Sequence, residues 1–453
     1  MSHAAQAIAT YHGAIKADRE RAVYWMEWLL ARESERHLEY GGKPIPTLLR
    51  PAFIDASQAA RVARVVGILA DALERVLRDY LTYPEVRREI PFEPGTADLL
   101  ALPTGLTRNV IVARYDAFLG PDFLRFNEFN TDSPASMAWN EVQHGLFSEL
   151  PMMDEVKKRF GIAPENSAEV LVDALLGAYQ DFGLNDSPRL LITDWDGVST
   201  RAEFEEVKER FERRGIPAAI ADPRAIEMHN GLAVADGFAA NLIYRRVVWS
   251  ELLPKLEECN GLVDALRGDT VCVANPLAAK IAGNKACMAY LSNPTHRDRF
   301  TSEQWQTIRA HVPWTAVLRH GLVDHEGNKV DPFELAAGDP AGFVIKPLNS
   351  YGGRGVMLGD QVTGAEWEER LALVEGEPDG WCLQARIQIP AEVFPWISEA
   401  GLGWESRNVN LNPYVLGGRY GGALTRLSKS PVINVSAGGG MVPTFVVTGP
   451  RQS

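Results

Sequence analysis

The residues with the clearest chemical meaning lie between Phe343 and Asp360, in FVIKPLNSYGGRGVMLGD. An apolar run ends in Lys346, and Tyr-Gly-Gly-Arg-Gly follows five residues later, before a second apolar run leaves. Gly352, Gly353 and Gly355 permit positive φ and carry no Cβ, so successive backbone N–H groups can converge on phosphate oxygens. Lys346 would place a fixed positive charge beside them. The loop joins two expected strands and lacks a Gly-Lys-Ser/Thr run opening a helix, so it is not a Walker A motif.

A second constellation lies at 109–130. NVIVARYD (109–116) and FLRFNEFN (123–130) alternate, and AFLGPD between them carries a Gly-Pro turn signal. The stretch predicts a β-hairpin. If Asp116 faces Glu128 across the pair, Arg114 faces Asn130. Period-two alternation then projects Arg114, Asp116, Glu128 and Asn130 from one face. Two carboxylates and an amide oxygen beside a guanidinium suit Mg²⁺, which takes one or two carboxylates and completes its shell with substrate phosphates. Val110, Val112, Leu124 and Phe126 are expected on the same face, which predicts a half-buried surface where charges need partners.

These sites need a scaffold, and the chain is long enough to supply one. It has 453 residues, 46% of them hydrophobic and 23% charged, as in soluble globular proteins. Acidic residues outnumber basic ones 59 to 46, a net charge of −13, which argues against a generic nucleic-acid or anionic-membrane surface. Cys259, Cys272, Cys287 and Cys382 form no CxxC pair, so structural zinc and a disulfide framework are not expected. The N-terminus lacks the charged-then-apolar order of a signal peptide, and no stretch reaches the length of a membrane span. A cytoplasmic location is the expectation.

Residues 1–90 read as helical: Asp18–Tyr40 has no Gly or Pro before its end, and Ala59–Leu81 carries Val62, Val65, Val66, Leu69, Leu73 and Val76 at helical spacing. From 168 to 265 helices and short apolar strands alternate, at Arg189–Thr193, Pro217–Ala221 and Asn241–Tyr244, implying a parallel sheet. The expected fold class is α/β, an α+β assembly with this parallel sheet as one unit. Four segments follow: 1–95 helical, 96–165 around the hairpin, 166–268 the parallel α/β unit and 269–453 the lobes carrying the glycine loop.

The hairpin and the loop together resemble the ATP-grasp superfamily, and in particular its circularly permuted, glutathionylspermidine synthase-like branch. In ordinary ATP-grasp enzymes the metal-binding Asp and Glu-x-Asn follow the lysine and glycine loop; here they precede it. The resemblance runs through Arg114-Tyr-Asp116, Glu128-Phe-Asn130-Thr-Asp132-Ser133-Pro134, Asn275-Pro276, Asn284-Lys285-Ala286, Lys346, Gly352–Gly355, Gln384-Ala-Arg-Ile387, Arg426-Leu-Ser and Asn434-Val-Ser-Ala-Gly-Gly-Gly440. It implies a circularly permuted ATP-grasp core with ATP and Mg²⁺ bound. Lys285 and Lys346 are implied to hold the ATP phosphates, Gly352, Gly353 and Gly355 to cover them, and the backbone of Gln384, Ala385, Arg386 and Ile387 to meet adenine. Asp116, Glu128 and Asn130 are the implied Mg²⁺ ligands. Arg114 is implied to stabilise the transferring phosphoryl group, Ser133 to help bind an acyl substrate, and Arg426 to contact phosphate or acyl phosphate. The implied activity is ATP-dependent ligation of a small-molecule or peptide carboxylate to an amine. These residues depart from glutathionylspermidine synthase in carrying no catalytic-cysteine amidase signature, so glutathione and spermidine are not the expected substrates.

Two other motifs point to different chemistry. LLITDWDGVST contains Asp194 and Asp196 in an Asp-x-Asp-Gly arrangement that resembles a haloacid dehalogenase phosphatase, without the later acidic pair that chemistry needs. His296-Arg297-Asp298 mimics a kinase catalytic loop but has Glu303 where an Asn is required. Tyr244-Arg245-Arg246 reads as a strand-end ion pair, with contact to an anionic substrate as the alternative. A non-catalytic ATP-binding regulatory module is the other functional class.

Overall fold

A computed structural model describes residues 1–40, 43–164, 166–350, 352–377, 379–398, 401–433 and 439–451. Tyr351 and residues 434–438 of the Asn434–Gly440 stretch lie outside the described residues. No described helix is long and apolar enough to cross a membrane.

Three sheets organise the α/β architecture. The largest runs in the order Ala52–Asp55, Gly440–Pro450, Arg419–Ser428, Gly401–Leu416, Val112–Leu119, Leu124–Asn130, with Ala391–Ser398 and Phe160–Ile162 attached beside it. The early hairpin is therefore built onto strands from the end of the chain: Tyr414 pairs with Arg114 and Leu416 with Val112. Helix Ala56–Thr82 covers this sheet. Its expected stripe, Val62, Val65, Val66, Leu69, Leu73 and Val76, is buried to 1% exposure or less. The stripe packs in one cluster with Tyr115, Phe126 and Leu411. Each such side chain contributes roughly 1.5–3 kcal/mol on burial, which seats the sheet against the helix. Asp55 and Gln58 close the helix start as a capping box.

The segment expected to be helical to residue 90 is interrupted by the strand Ala52–Asp55, which pairs parallel to Gly440–Pro450 with Phe53 opposite Phe445. Four residues are too few to show a period, and the partner lies at the far end of the chain.

The parallel sheet has the order Cys272–Ala274, Leu242–Arg245, Leu190–Thr193, Ala218–Ala221. These are the short apolar runs that the sequence marks as strands. Helices Ser167–Phe182 and Arg201–Arg213 bury Leu171, Leu175, Phe204 and Phe211 against it. The third sheet is antiparallel: Thr315–Val317, Trp381–Ala385, Phe343–Pro347, Met357–Leu358. Its last two strands flank the glycine loop, with Val344 opposite Leu358. Helix Gly364–Glu375 packs Trp367 and Leu371 against it.

Candidate active site

The hairpin forms with the expected register at its chemical end: Arg114 pairs with Asn130 and Asp116 with Glu128. All four side chains line one cleft of about 580 Å³. Beyond Asp116 the register shifts, and Ala117 faces Phe126. The extra residue is Asn127, a β-bulge. Its effect corrects one expectation. Phe126 does not share the charged face; its ring packs edge-on to Tyr115 at 6.1 Å, in the core beneath, and Leu124 joins the same cluster. Phe118 lines the cleft instead.

Asn275, just past the parallel strand Cys272–Ala274, anchors the hairpin. Its Oδ1 accepts from the Ile111 and Val112 amides, both at 2.9 Å, and its Nδ2 donates to the Val112 and Thr131 carbonyls at 2.7 and 2.8 Å. One buried amide thus ties both strands to the parallel sheet. Asn410, on the neighbouring strand Gly401–Leu416, adds one bond to the first hairpin strand, donating to the Ala117 carbonyl at 2.9 Å.

Across the cleft stand the lysines. Lys346 leaves the strand Phe343–Pro347, and its Nζ donates to Gln384 Oε1 at 2.6 Å and to the bulged Asn127 carbonyl at 3.1 Å. Lys285 opens the helix Lys285–Ser292, capped by Asn284. Its Nζ donates to the Ser350 carbonyl at 2.6 Å and lies 3.8 Å from Glu128 Oε2. The glycine loop adopts the expected left-handed backbone, with φ of 72°, 71° and 74° at Gly352, Gly353 and Gly355. Gly352 and Gly353 line the cleft. Gly355 does not; a Cβ there would meet Pro347 Cγ at 2.8 Å, so its role is to let the loop close on its own strand.

Gln384, Ala385, Arg386 and Ile387 also line the cleft. The Ala385 and Arg386 amides already donate to the Trp314 and Gly342 carbonyls, and the Arg386 guanidinium holds both oxygens of Asp360. Ser133 lines the cleft and donates to the Arg245 carbonyl at 3.2 Å.

Charge is concentrated and nearly dry here. Asp116 receives Arg114 Nε at 3.1 Å on one oxygen and Arg426 Nη1 at 3.2 Å on the other. Burial holds the Lys346 ammonium down at about 8, against the opposing pull of Glu128. Lys280, on the same wall, is also held below the ordinary lysine range by burial. The Arg426 guanidinium is lowered by burial and by neighbouring Arg114.

The residues fit a magnesium-bound triphosphate. The Glu128 side chain faces the cleft with no hydrogen bond among the described residues, and Asn130 Nδ2, a donor that a phosphate oxygen could meet, is buried without a partner among them. Hard oxygen donors and buried cations without full anionic partners face one another, as a metal and its phosphates require. No cluster of three or more His, Cys, Asp or Glu suited to a metal occurs among the described residues, so any metal here rests on two carboxylates and an amide.

The cleft continues to the carboxyl ends of the parallel strands, where ligands of open α/β sheets bind. Arg245 takes the ion pair expected at this strand end, with Asp132 Oδ1 at 2.9 Å. Arg246 does not; it is buried and lines the cleft, as does Asp194, whose carboxyl is pushed up to about 6 by burial. The kinase-like His296 instead bonds Glu89 at 2.7 Å and stacks on Tyr290. The residues that sequence reasoning missed are Asn410, Lys280 and Asp194 as walls of this cleft, and Asn275 as its anchor. Asn275 carried a signal, in the Asn-Pro that follows a β-branched strand.

No protein-family model matches the chain. An uncharacterized protein of Mycobacterium tuberculosis is 26% identical over 227 residues, covering 47% of this chain and 38% of that protein. The match therefore spans well under half the length of that relative. An uncharacterized protein of Mycobacterium leprae is 23% identical over 439 residues, covering 89% of this chain and 72% of that protein. Among solved structures, the chain is similar to a glutathione synthetase like-effector from Globodera pallida, in apoform. The TM-score is 0.68 at 11% identity, covering 95% of this chain and 98% of that one. At that identity the likeness is one of fold, and the α/β architecture described above is the one the two chains share.

Proposed function

We propose that the protein is an ATP-dependent carboxylate–amine ligase with a circularly permuted ATP-grasp core. The observation that carries this reading is the meeting of Glu128 and Lys285, 3.8 Å apart, with Asp116 and Lys346 on the same two walls. The permuted order is supported by the hairpin at 112–130 joining the sheet formed by residues 401–450. The shared fold with a glutathione synthetase-like protein agrees with amide formation.

In this reading Lys285 and Lys346 hold the phosphates of ATP, and the Gly352–Gly353 backbone covers them. Asp116, Glu128 and Asn130 would hold Mg²⁺, whose charge offsets that of the transferring phosphoryl group. A substrate carboxylate oxygen attacks the γ-phosphorus and ADP departs, leaving an acyl phosphate. An amine then attacks the acyl carbon, and inorganic phosphate leaves as the amide forms. Arg114 and Arg426, locked on Asp116, stand ready-oriented for the developing negative charge, so no reorganisation is needed during transfer. With the Ala385 and Arg386 amides engaged, adenine contact in this segment falls to its carbonyls and to Ile387.

ADP release from Mg-ATP in the presence of pooled carboxylates and amines tests the reading. Wild-type protein should release ADP over many turnovers only when both pools are present, and at most about one equivalent with the carboxylates alone. Lys346→Ala and Glu128→Ala should abolish release while keeping the circular-dichroism spectrum. Full turnover in either variant would refute it.

A further inference from the structure

Arg246 is an unexplained charge. It is 4% exposed, yet it forms no salt bridge with any described residue, whereas its neighbour Arg245 is paired with Asp132. Its guanidinium lies against the rings of Phe204 and Tyr244, each 5.3 Å away. Nη1 donates to the Pro134 carbonyl at 2.6 Å and to the Tyr244 hydroxyl at 3.0 Å, and Nε is buried without a partner among the described residues. Glu203 and Asp194 act on it electrostatically, but neither reaches salt-bridge distance. A guanidinium fixed between two rings, with no carboxylate in direct contact among the described residues and lining a cleft, is poised for one. A buried cation is best satisfied by an anion in direct contact, which neither carboxylate supplies and a ligand can.

Asp194 lines the same end of the cleft, one strand away at the end of Leu190–Thr193. Its only described hydrogen bond is from the Trp195 amide. Arg246 and Glu251 both act on it electrostatically, so the subsite carries both signs of charge. The subsite also adjoins the reaction centre. Arg114 Nη1 donates to the Ala135 carbonyl and Arg246 Nη1 to that of Pro134, one peptide apart. A molecule held at Arg246 therefore reaches the phosphoryl-transfer face within a few bonds.

We propose that Arg246 and Asp194 recognise the carboxylate and the ammonium of one zwitterionic substrate, an α-amino acid or the amino-acid end of a small molecule. This rests on the ligase reading and narrows its substrate class. A simple polyamine leaves Arg246 unpaired, and a simple dicarboxylate leaves Asp194 without a cation.

Calorimetry on the full chain tests this, with Mg²⁺ and a non-hydrolysable ATP analogue bound. The probes are the twenty proteinogenic L-amino acids, the corresponding amines lacking the carboxylate, and the corresponding acids lacking the amine. At least one amino acid should bind about 100-fold more tightly than both of its stripped counterparts, the loss expected when one member of a buried charge pair is removed. Arg246→Gln should weaken that binding by a similar factor. Asp194→Asn, at a half-buried position, should weaken it without loss of fold and provides the second variant if Arg246→Gln does not fold. Analogue binding without any amino-acid binding, a stripped amine binding equally well, or full binding by Asp194→Asn would overturn the proposal. Failure of the analogue itself to bind would overturn the ligase reading, and the amino-acid titration without nucleotide then still decides the subsite.

Discussion

Asp116 and Arg426, 310 residues apart in the chain, meet at 3.2 Å on adjoining walls of the cleft, and the other Asp116 oxygen holds Arg114 at 3.1 Å. The two guanidinium groups repel each other, and Asp116 is the carboxylate hydrogen-bonded to both. All three side chains are 12% exposed or less, so solvent screens little of this interaction. Asp116→Asn keeps the shape and removes the charge. It should cost about 3–5 kcal/mol of stability, the usual result of leaving buried charge unpaired. Urea denaturation should show a lower midpoint, and an unchanged midpoint would contradict the pairing.

Lys346 makes the pH behaviour distinctive. Its ammonium is held at about 8, below the ordinary 10.5, chiefly by burial. Neutral lysine cannot hold phosphate, so nucleotide affinity should be full below pH 8 and fall as pH rises through it. Stability of the free protein should move oppositely. Between about 8 and 10.5 the unfolded chain keeps a proton that the folded chain has released, so stability rises with pH there. Below that window both states are protonated, and this group contributes no slope. Proton uptake on nucleotide binding at pH 8.5, measured in buffers of differing ionisation enthalpy, should be present in wild type and lost in Lys346→Met.

The charged face of the hairpin was legible because alternation in a strand is strict and the four polar residues share one parity. The bulge at Asn127 was not, because a single inserted residue carries no Gly or Pro signature and is set by what packs beneath it. That bulge matters: it turns Phe126 into the core and aims the Asn127 carbonyl at Lys346. The parallel strands were legible as apolar runs between helices. The pairing of Ala52–Asp55 with Gly440–Pro450 was not, since nothing local marks a partner at the opposite end of the chain. Arg245 ends its strand and Arg246 is the residue just past it, and only the position of Asp132 decides which is paired.

Gly353 offers a graded test of the loop. Its φ is 71°, and an added Cβ would meet Val432 Cγ1 at 2.7 Å. Gly353→Ala should therefore strain the loop by about 1–2 kcal/mol, the cost of left-handed backbone in an L-residue. Because the loop borders the cleft and not the core, the midpoint of thermal unfolding should move little. The KM for ATP should rise several-fold with a smaller change in kcat. Equal behaviour of Gly353→Ala and wild type would remove this loop from nucleotide binding.

Asn275 gives the sharpest separation between scaffold and chemistry. It touches no charged side-chain group of the cleft, yet its amide makes four short hydrogen bonds, to Ile111 and Val112 where the hairpin begins and to Thr131 just past its end. Asn275→Ala leaves the Ile111 and Val112 amides and two carbonyls to find new partners in a buried place. Each orphaned group costs about 1–3 kcal/mol, so the variant should be markedly less stable. Its surviving folded fraction should also lose turnover, because Asp116 and Glu128 no longer stand at a fixed distance from Lys285 and Lys346. Asn275→Asp tests the division of labour within the amide: it keeps an acceptor for Ile111 and Val112 but cannot donate to the carbonyls of Val112 and Thr131. It should be no more stable than Asn275→Ala, because its second carboxylate oxygen faces two carbonyls in a buried place, and should show little activity. Full activity in the alanine variant would mean that the hairpin holds its register without this anchor.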